Sequence, residues 1–531
     1  MSNTRLVVTR QIIGLLGTAM IILSNIFVLS NVPARAQSTT YDQPYRPQIH
    51  FSPEKNWTND PNGLVYFQGE YHLFFQYNPF GDQWGHMSWG HAVSKDLLHW
   101  HQLPVAIPEQ NGIMIFTGSV VVDRNNSSGF CESGKACLVA IYTGDGNTPE
   151  GHRETQNIAY SRDHGRTWIA YDKNPVLDLH LTDFRDPGVF WDDAAHHWTM
   201  AVSLPKERKV RFYGSSNLKD WSLLSDFGPA GDVAGDWECP NLLRIPSATG
   251  DSSIWALKVG LNPGAPQGGS GEQYFLGSFD GKGFTVSGEQ GAHGWTNYGK
   301  DDYCAISFNS LPKGQQPVLL GWMSNWQYAG KLPTSPWRGQ MSLPRRLSFL
   351  KDQAGLVIRQ EPITAPLRAR SHSIPGSSIA TLASGNHGSS IAPPYELELH
   401  FNPSGKDNFG VRVVSDPDHW TEIGYDMARK VFYIDRTKSG VAISADFPAR
   451  TEAPIVASRL YDLRLIVDRS SVEAYAQNGT IAMTDLIYPP SAGPSSTGTA
   501  IQLFPQATLA ATPKSHLWEL KSIWREHPPA R

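Results

Sequence analysis

Three acidic side chains stand in short motifs that could carry chemistry. Asp60 lies in Asn56-Trp57-Thr58-Asn59-Asp60-Pro61-Asn62-Gly63. The proline after it restricts its backbone to extended or turn geometry. The Asn, Pro and Gly punctuation predicts a strand–turn–strand. Asn59 and Asn62 flank the acid as amide donors and Trp57 offers an apolar wall, so the carboxylate is expected to stay ionised at neutral pH, as a nucleophile must. Asp186 repeats the Asp-Pro device in Thr182-Asp183-Phe184-Arg185-Asp186-Pro187, with Arg185 beside it to orient a carboxylate. Glu238 sits in Asp236-Trp237-Glu238-Cys239-Pro240, where apolar neighbours are expected to raise its pKa toward that of a proton donor working near neutrality. Taken singly, an Asp-Pro turn need only cap backbone amides. Taken together, two carboxyls with pKa values pushed apart form the pattern of glycoside hydrolysis.

Something must bring these distant acids together. From about residue 51 to 350 the chain reads as short strands punctuated by Gly, Pro, Asn and Asp, as at 71–77, 138–142 and 198–202, with no helical stripe between them. A weak repeat runs through this part. Ser94-Lys95-Asp96 closes on Trp100, Ser161-Arg162-Asp163 on Trp168, Ser215-Ser216-Asn217 on Trp221, and Ser278-Phe279-Asp280 on Phe284. A recurring all-β unit predicts a β-propeller, each hairpin turning between two strands while its aromatic packs between neighbouring blades. Strand ends from several blades then converge on one axial pocket. A Ser-, Gly- and Pro-containing connector follows at 351–375. Beyond it, alternating strands at 395–401, 409–414 and 463–467 predict a β-sandwich with one buried face per sheet. The expected organisation is a propeller over 37–350, a linker over 351–375 and a sandwich over 376–531.

Residues 1–36 have the form of a signal peptide. Arg5 and Arg10 precede an apolar run, and Ala34-Arg35-Ala36 supplies a small-x-small cleavage site immediately after it, which favours removal over an uncleaved membrane anchor. The mature chain is therefore expected to be secreted or periplasmic. A net charge of −4 with 18% charged residues implies no nucleic-acid partner, and no membrane partner is expected once the leader is gone. The 17 Trp, 19 Tyr and 22 Phe suit a large β core and stacking on sugar rings. Cys131 and Cys137 bracket a short polar loop and read as a local disulfide. Cys239 and Cys304, distant in sequence, read by default as buried free thiols, with a second bridge as the alternative. His86 and His91 face opposite sides of a strand and no zinc-type spacing occurs, so no metal or other cofactor is expected.

The chain resembles glycoside hydrolase family 32, the invertases, inulinases and levanases, and looks most like a secreted bacterial exo-levanase. The resemblance rests on Trp57 to Gly63, Phe116-Thr117-Gly118-Ser119, Phe184-Arg185-Asp186-Pro187, Trp237-Glu238-Cys239-Pro240 and Asp468-Arg469-Ser470-Ser471-Val472-Glu473, in that order. It implies a five-bladed propeller followed by a β-sandwich, and a retaining mechanism at fructose C2. It implies that Asp60 is the nucleophile, Glu238 the acid and base, and Asp186 a transition-state stabiliser. Asn59, Gln76, Trp84, Phe116, Thr117, Arg185 and Trp326 match positions lining the fructose pocket. The pocket-wall Trp84 favours exo-cleavage of levan, inulin or sucrose. The alternatives are an endo-acting fructanase, a fructosyltransferase or a non-catalytic fructan-binding protein. Lys300-Asp301-Asp302-Tyr303 departs from the family's usual Lys-Asp-Phe-Tyr, which leaves the roles of Asp301 and Asp302 open.

Overall fold

The computed structural model describes residues 41–524 apart from 149–150, 290, 353–354, 375–390, 403–407, 491–498 and 505–507. The leader read as a signal peptide lies outside the described residues. Among the described residues, short β-branched and aromatic segments broken by turns leave three single turns of 3-10 helix between strands. No helix among the described residues is long and apolar enough to cross a membrane.

Five sheets follow one another in chain order, antiparallel except where Trp337–Arg338 joins the edge of the first in parallel. Their first strands are Asn56–Phe67, Met114–Asp123, Arg185–Asp192, Asp236–Pro246 and Tyr303–Ser307. Each of these strands touches the next, and the fifth touches the first, so the sheets close into a β-propeller around an axis. Apolar side chains fill every gap between sheets. Phe74 and Trp89 meet Val120 and Ala140; Ile141 and Ile158 meet Met200 and Tyr213; Phe212 meets Phe275; Ile245 and Leu276 meet Leu319 and Leu347. Phe308 and Leu320 meet Leu73 and Phe75 to close the ring.

The repeated Ser-x-Asp hairpin joins the third strand to the fourth in each of the first four sheets. Its acid or amide caps the turn: Asp96 Oδ1 accepts from the Leu98 and His99 N–H groups, and Asn217 Oδ1 from those of Lys219 and Asp220. The closing aromatic crosses to the preceding sheet, as where Trp168 meets Phe74 edge-on at 5.4 Å and Phe284 meets Phe227 at 5.3 Å.

The boundary between the two parts differs from the sequence reading. The strand Leu356–Pro362 is the fourth of the fifth sheet, and Arg368–Ile374 already pairs with Ser515–Leu520 in the sandwich. The propeller thus runs to Pro362, and regular strands occupy most of the stretch expected to be a linker. Ser and Gly in that stretch mask a strand whose partners are remote in sequence. The sandwich stacks a seven-stranded and a five-stranded sheet around Leu397, Leu463, Val411, Ile423 and Phe432.

Buried ion pairs lock the sandwich to the propeller. His50, fully buried ahead of the first sheet, lies between Asp468 (2.8 Å) and Glu473 (3.0 Å) of the sandwich. Its imidazolium is held up at about 9 by those two carboxylates, against the opposing cost of burial. Asp468 and Glu473 are held below their ordinary values by His50, again against burial. Asp301 accepts from Arg436 (2.6 Å) and Tyr328 (2.7 Å), and from the Leu486 N–H (2.8 Å). Asp302 pairs with buried Arg345 at 2.9 Å. Asp301 and the extra acid Asp302 of the departing motif therefore serve packing across and behind the interface, away from the cavity described next.

Candidate active site

All five first strands carry a β-bulge at the same level. The shifts in register fall between Thr58 and Pro61, Ile115 and Gly118, Arg185 and Gly188, Glu238 and Asn241, and Tyr303 and Ile306. A bulge sets two residues against one and re-aims a side chain. The repeated position puts Asp60, Thr117, Asp186, Glu238 and Tyr303 at or beside bulges in neighbouring strands. Asp186 (φ +68°), Cys239 (φ +50°) and Cys304 (φ +48°) adopt the left-handed backbone, which L-residues occupy only when the surroundings hold them there. The stretch around Asp60 is accordingly one bulged strand, Asn56–Phe67, and not the expected strand–turn–strand. Pro61 is accommodated at a bulge because no ladder N–H is needed there.

These strands line a cavity of about 350 Å³ formed by Asn59, Asp60, Gln76, Trp84, Phe116, Thr117, Glu154, Arg185, Asp186, Glu238, Asn262 and Trp326. Every residue singled out from the sequence as catalytic or substrate-binding is in this set. Glu154 and Asn262 were not singled out. Glu154 sits in a strand of alternating burial with no motif around it, and Asn262 ends a strand with only the following proline to mark it.

Asp60 does not have the low pKa expected of it. Asp60 is buried, and its carboxyl is pushed up to about 7, first by desolvation and then by the charge of Glu238, while Asn59 and Thr117 pull it back. Thr117 Oγ1 donates to Asp60 Oδ2 at 2.9 Å. Asp60 Oδ1 has no protein partner among the described residues. Asn62 does not flank Asp60 as a donor; with its amide oriented to satisfy both ends, it donates to Thr117 Oγ1 (3.3 Å) and accepts from Gln76. Glu238, expected in an apolar setting, instead accepts from Arg185 Nε (3.0 Å) and from the Tyr303 hydroxyl. Its chain neighbour Trp237 packs away into the gap between the third and fourth sheets. Alternation along a strand explains the second error, since adjacent residues face opposite sides; Asn62 is turned from Asp60 by the irregular register on either side of Pro61 and Asn62.

Asp186 takes the Cys239 N–H at 2.9 Å and lies well above the ordinary carboxylate range, from burial first and the Glu238 charge second. Arg185 is the cation against these acids. Besides Glu238 it donates to Glu154 (2.8 Å) and Asp183 (3.2 Å). Glu154 also accepts the Phe184 N–H (2.6 Å), and burial pushes it up to about 7. Trp57, Trp322 and Trp326 pack together, with centroids 4.8–6.2 Å apart, and Trp84 meets Phe116 at 6.2 Å. The cavity thus combines carboxylates, one guanidinium and aromatic walls, which suits a polyhydroxylated ring.

Both cysteine pairs are bridged. Cys131–Cys137 matches the sequence reading. Cys239–Cys304 replaces the expected free thiols, with Cα atoms 5.3 Å apart. Sixty-five residues separate the two in sequence, so only the closing of the fourth sheet onto the fifth reveals the pair. Their sulfurs and an Asp60 oxygen lie within 4.8 Å of one another. Sulfur bonded to sulfur offers no thiolate, so this cluster is a disulfide packed on a carboxylate rather than a metal centre.

Residues 50–362 match the profile of the Glycosyl hydrolases family 32 N-terminal domain, and residues 365–519 that of the Glycosyl hydrolases family 32 C terminal. An extracellular exo-inulinase of Aspergillus ficuum is 40% identical over 492 residues, covering 86% of this chain and 91% of that protein. A levanase of Bacillus subtilis is 42% identical over 482 residues, covering 88% of this chain and 70% of that one. The crystal structure of an exo-inulinase from Aspergillus awamori superposes with a TM-score of 0.81 at 36% identity, covering 91% of this chain and all of that one.

Proposed function

The chain belongs to glycosyl hydrolase family 32 and is a glycosidase, and from that premise we propose that it releases fructose from the ends of β-fructans and from sucrose through a fructosyl-enzyme intermediate. The observation that carries the reading is the convergence of Asp60, Asp186 and Glu238 with Arg185 in one cavity of about 350 Å³. Asp60 is the nucleophile: its unpartnered Oδ1 attacks C2 as the C2–O bond breaks. Glu238 gives its proton to the departing oxygen, then takes one from the water that attacks C2 and frees the Asp60 carboxylate. Asp186 accepts from ring hydroxyls, a hold that strengthens as the ring flattens. Arg185 keeps Glu238 in place and balances the charge of three clustered acids. Asn59, Gln76, Trp84, Phe116, Thr117 and Trp326 bound the sugar.

A cavity of this size favours one ring and therefore a chain end, which supports exo-cleavage over endo-cleavage. Two disulfides, and the extracellular assignment of the Aspergillus exo-inulinase, support action outside the cytoplasm. The reading involves neither nucleic acid nor membrane, and two carboxyls and water suffice without a cofactor.

Product chromatography on levan, inulin and sucrose, with Asp60→Asn as the blank, tests the proposal. Fructose alone, released faster from levan than from inulin, supports an exo-levanase. A ladder of oligosaccharides would establish endo action, and oligomers longer than the substrate a transferase. No product from a folded enzyme would leave only fructan binding.

A further inference from the structure

The first strands of the fourth and fifth sheets, Asp236–Pro246 and Tyr303–Ser307, lie side by side without a shared ladder. Each is bulged at the cavity, so its backbone groups there lack their ladder partners. Glu238 and Tyr303 hold the same place in their two strands, and the Tyr303 hydroxyl donates to Glu238 Oε2. The residue after each is a cysteine in the left-handed conformation, and these two cysteines are bonded to each other. Both are buried. The next residue, Ala305, is clamped as well. Its N–H donates to Glu272 at 2.6 Å and its carbonyl accepts from Lys258 at 2.5 Å. Lys258 and Glu272 pair at 2.7 Å with both side chains fully buried.

We infer that the Cys239–Cys304 disulfide, backed by the Lys258–Glu272 pair, is a positioning device for proton transfer: it ties the strand carrying Glu238 to the strand carrying Tyr303 and so fixes the hydroxyl on the carboxyl. The inference rests on the reading of Glu238 as the acid. Without the bridge the two strands are joined only by packing and by hydrogen bonds from Ser307 N–H to Asn241 and between Ala305 and the Lys258–Glu272 pair, and a proton donor must be held to within a fraction of an ångström of its line of transfer. The disulfide itself touches no substrate. It acts through Tyr303, whose hydroxyl donates to Glu238.

The test compares single-turnover rates on sucrose, whose leaving oxygen needs a proton, with those on an aryl β-fructofuranoside, whose leaving group does not. Cys239→Ala/Cys304→Ala is expected to lose about 10-fold on sucrose and less than about 2-fold on the aryl substrate. Tyr303→Phe should give the same split. Adding the cysteine changes to Tyr303→Phe should cost less than about 2-fold more, because both act through one contact. Cys131→Ala/Cys137→Ala, at the other bridge, should leave the ratio at the wild-type value. Losses that multiply, or that fall equally on both substrates, would overturn the inference. So would a non-reducing peptide map of active enzyme that lacks the Cys239–Cys304 linkage. If the double variant does not fold, Cys304→Ala alone, which keeps the buried Cys239, decides by the same ratio. Glu238→Gln separates the two levels of argument. Full sucrose activity in that variant would remove the acid assignment itself. Its loss beside an unaltered ratio in the cysteine variants would remove only the role of the disulfide.

Discussion

The His50 bridge makes the stability of the molecule depend on pH in a calculable way. His50 is fully buried between Asp468 and Glu473, and its folded-state pKa is raised from 6.5 to about 9. A raised pKa means that its contribution is fully present below pH 6.5 and is lost as pH climbs through about 9. At about 1.4 kcal/mol per pKa unit, the loss between those limits is about 3 kcal/mol. The partner carboxylates have the opposite sign. Their pKa values are depressed, so their contribution is present above the unfolded carboxylate range and is lost as pH falls into it. Stability should therefore peak on the acid side of neutrality. For a chain of this size the unfolding entropy is about 1 kcal/mol per kelvin, so Tm should fall by about 3 °C from pH 6.5 to pH 9. His50→Gln should remove that slope. It should also destabilise the protein at pH 6.5 by about 3–5 kcal/mol, because two buried carboxylates lose their cation. Calorimetric scans of both proteins at pH 6.5, 7.5 and 9 measure each quantity. An equal slope in His50→Gln, or a wild-type Tm unchanged to pH 9, would refute the reasoning.

Asp301→Asn leaves buried Arg436 with only the more distant carboxylate of Asp485 at 3.8 Å, and should cost about 3 kcal/mol in unfolding experiments while kcat on sucrose stays within about two-fold. Thr117→Val removes the hydroxyl on Asp60 Oδ2 and should lower kcat/KM by about 10- to 100-fold, as expected for a hydrogen bond to a charged group. Asp60 must be ionised to attack, so fructosyl-enzyme formation from an aryl fructoside should fall as pH drops through about 7. Glu238→Gln withdraws the charge that raises Asp60, and should move that midpoint to lower pH; a midpoint that stays in place would mean burial alone sets it.

What the sequence determined by itself is whatever a few neighbouring residues can encode. Motif order and residue type picked out Asp60, Asp186, Glu238 and the residues found with them around one cavity. The Ser-x-Asp hairpins announced the propeller because their caps lie within three or four residues of one another. Alternation announced the sandwich. Only the tertiary structure decided the rest, because each remaining feature joins residues that the chain keeps apart. Strand alternation turned Trp237 away from Glu238, and the fifth sheet brought Tyr303 onto it. Burial, which is a property of the closed ring, raised Asp60 above the ordinary carboxylate range. The same closure joined Cys239 to Cys304, and the docking of the sandwich gave Asp301 its partner Arg436. Local sequence sets which groups are available. Their charge state and their partners follow from desolvation and proximity, which exist only once distant strands have met.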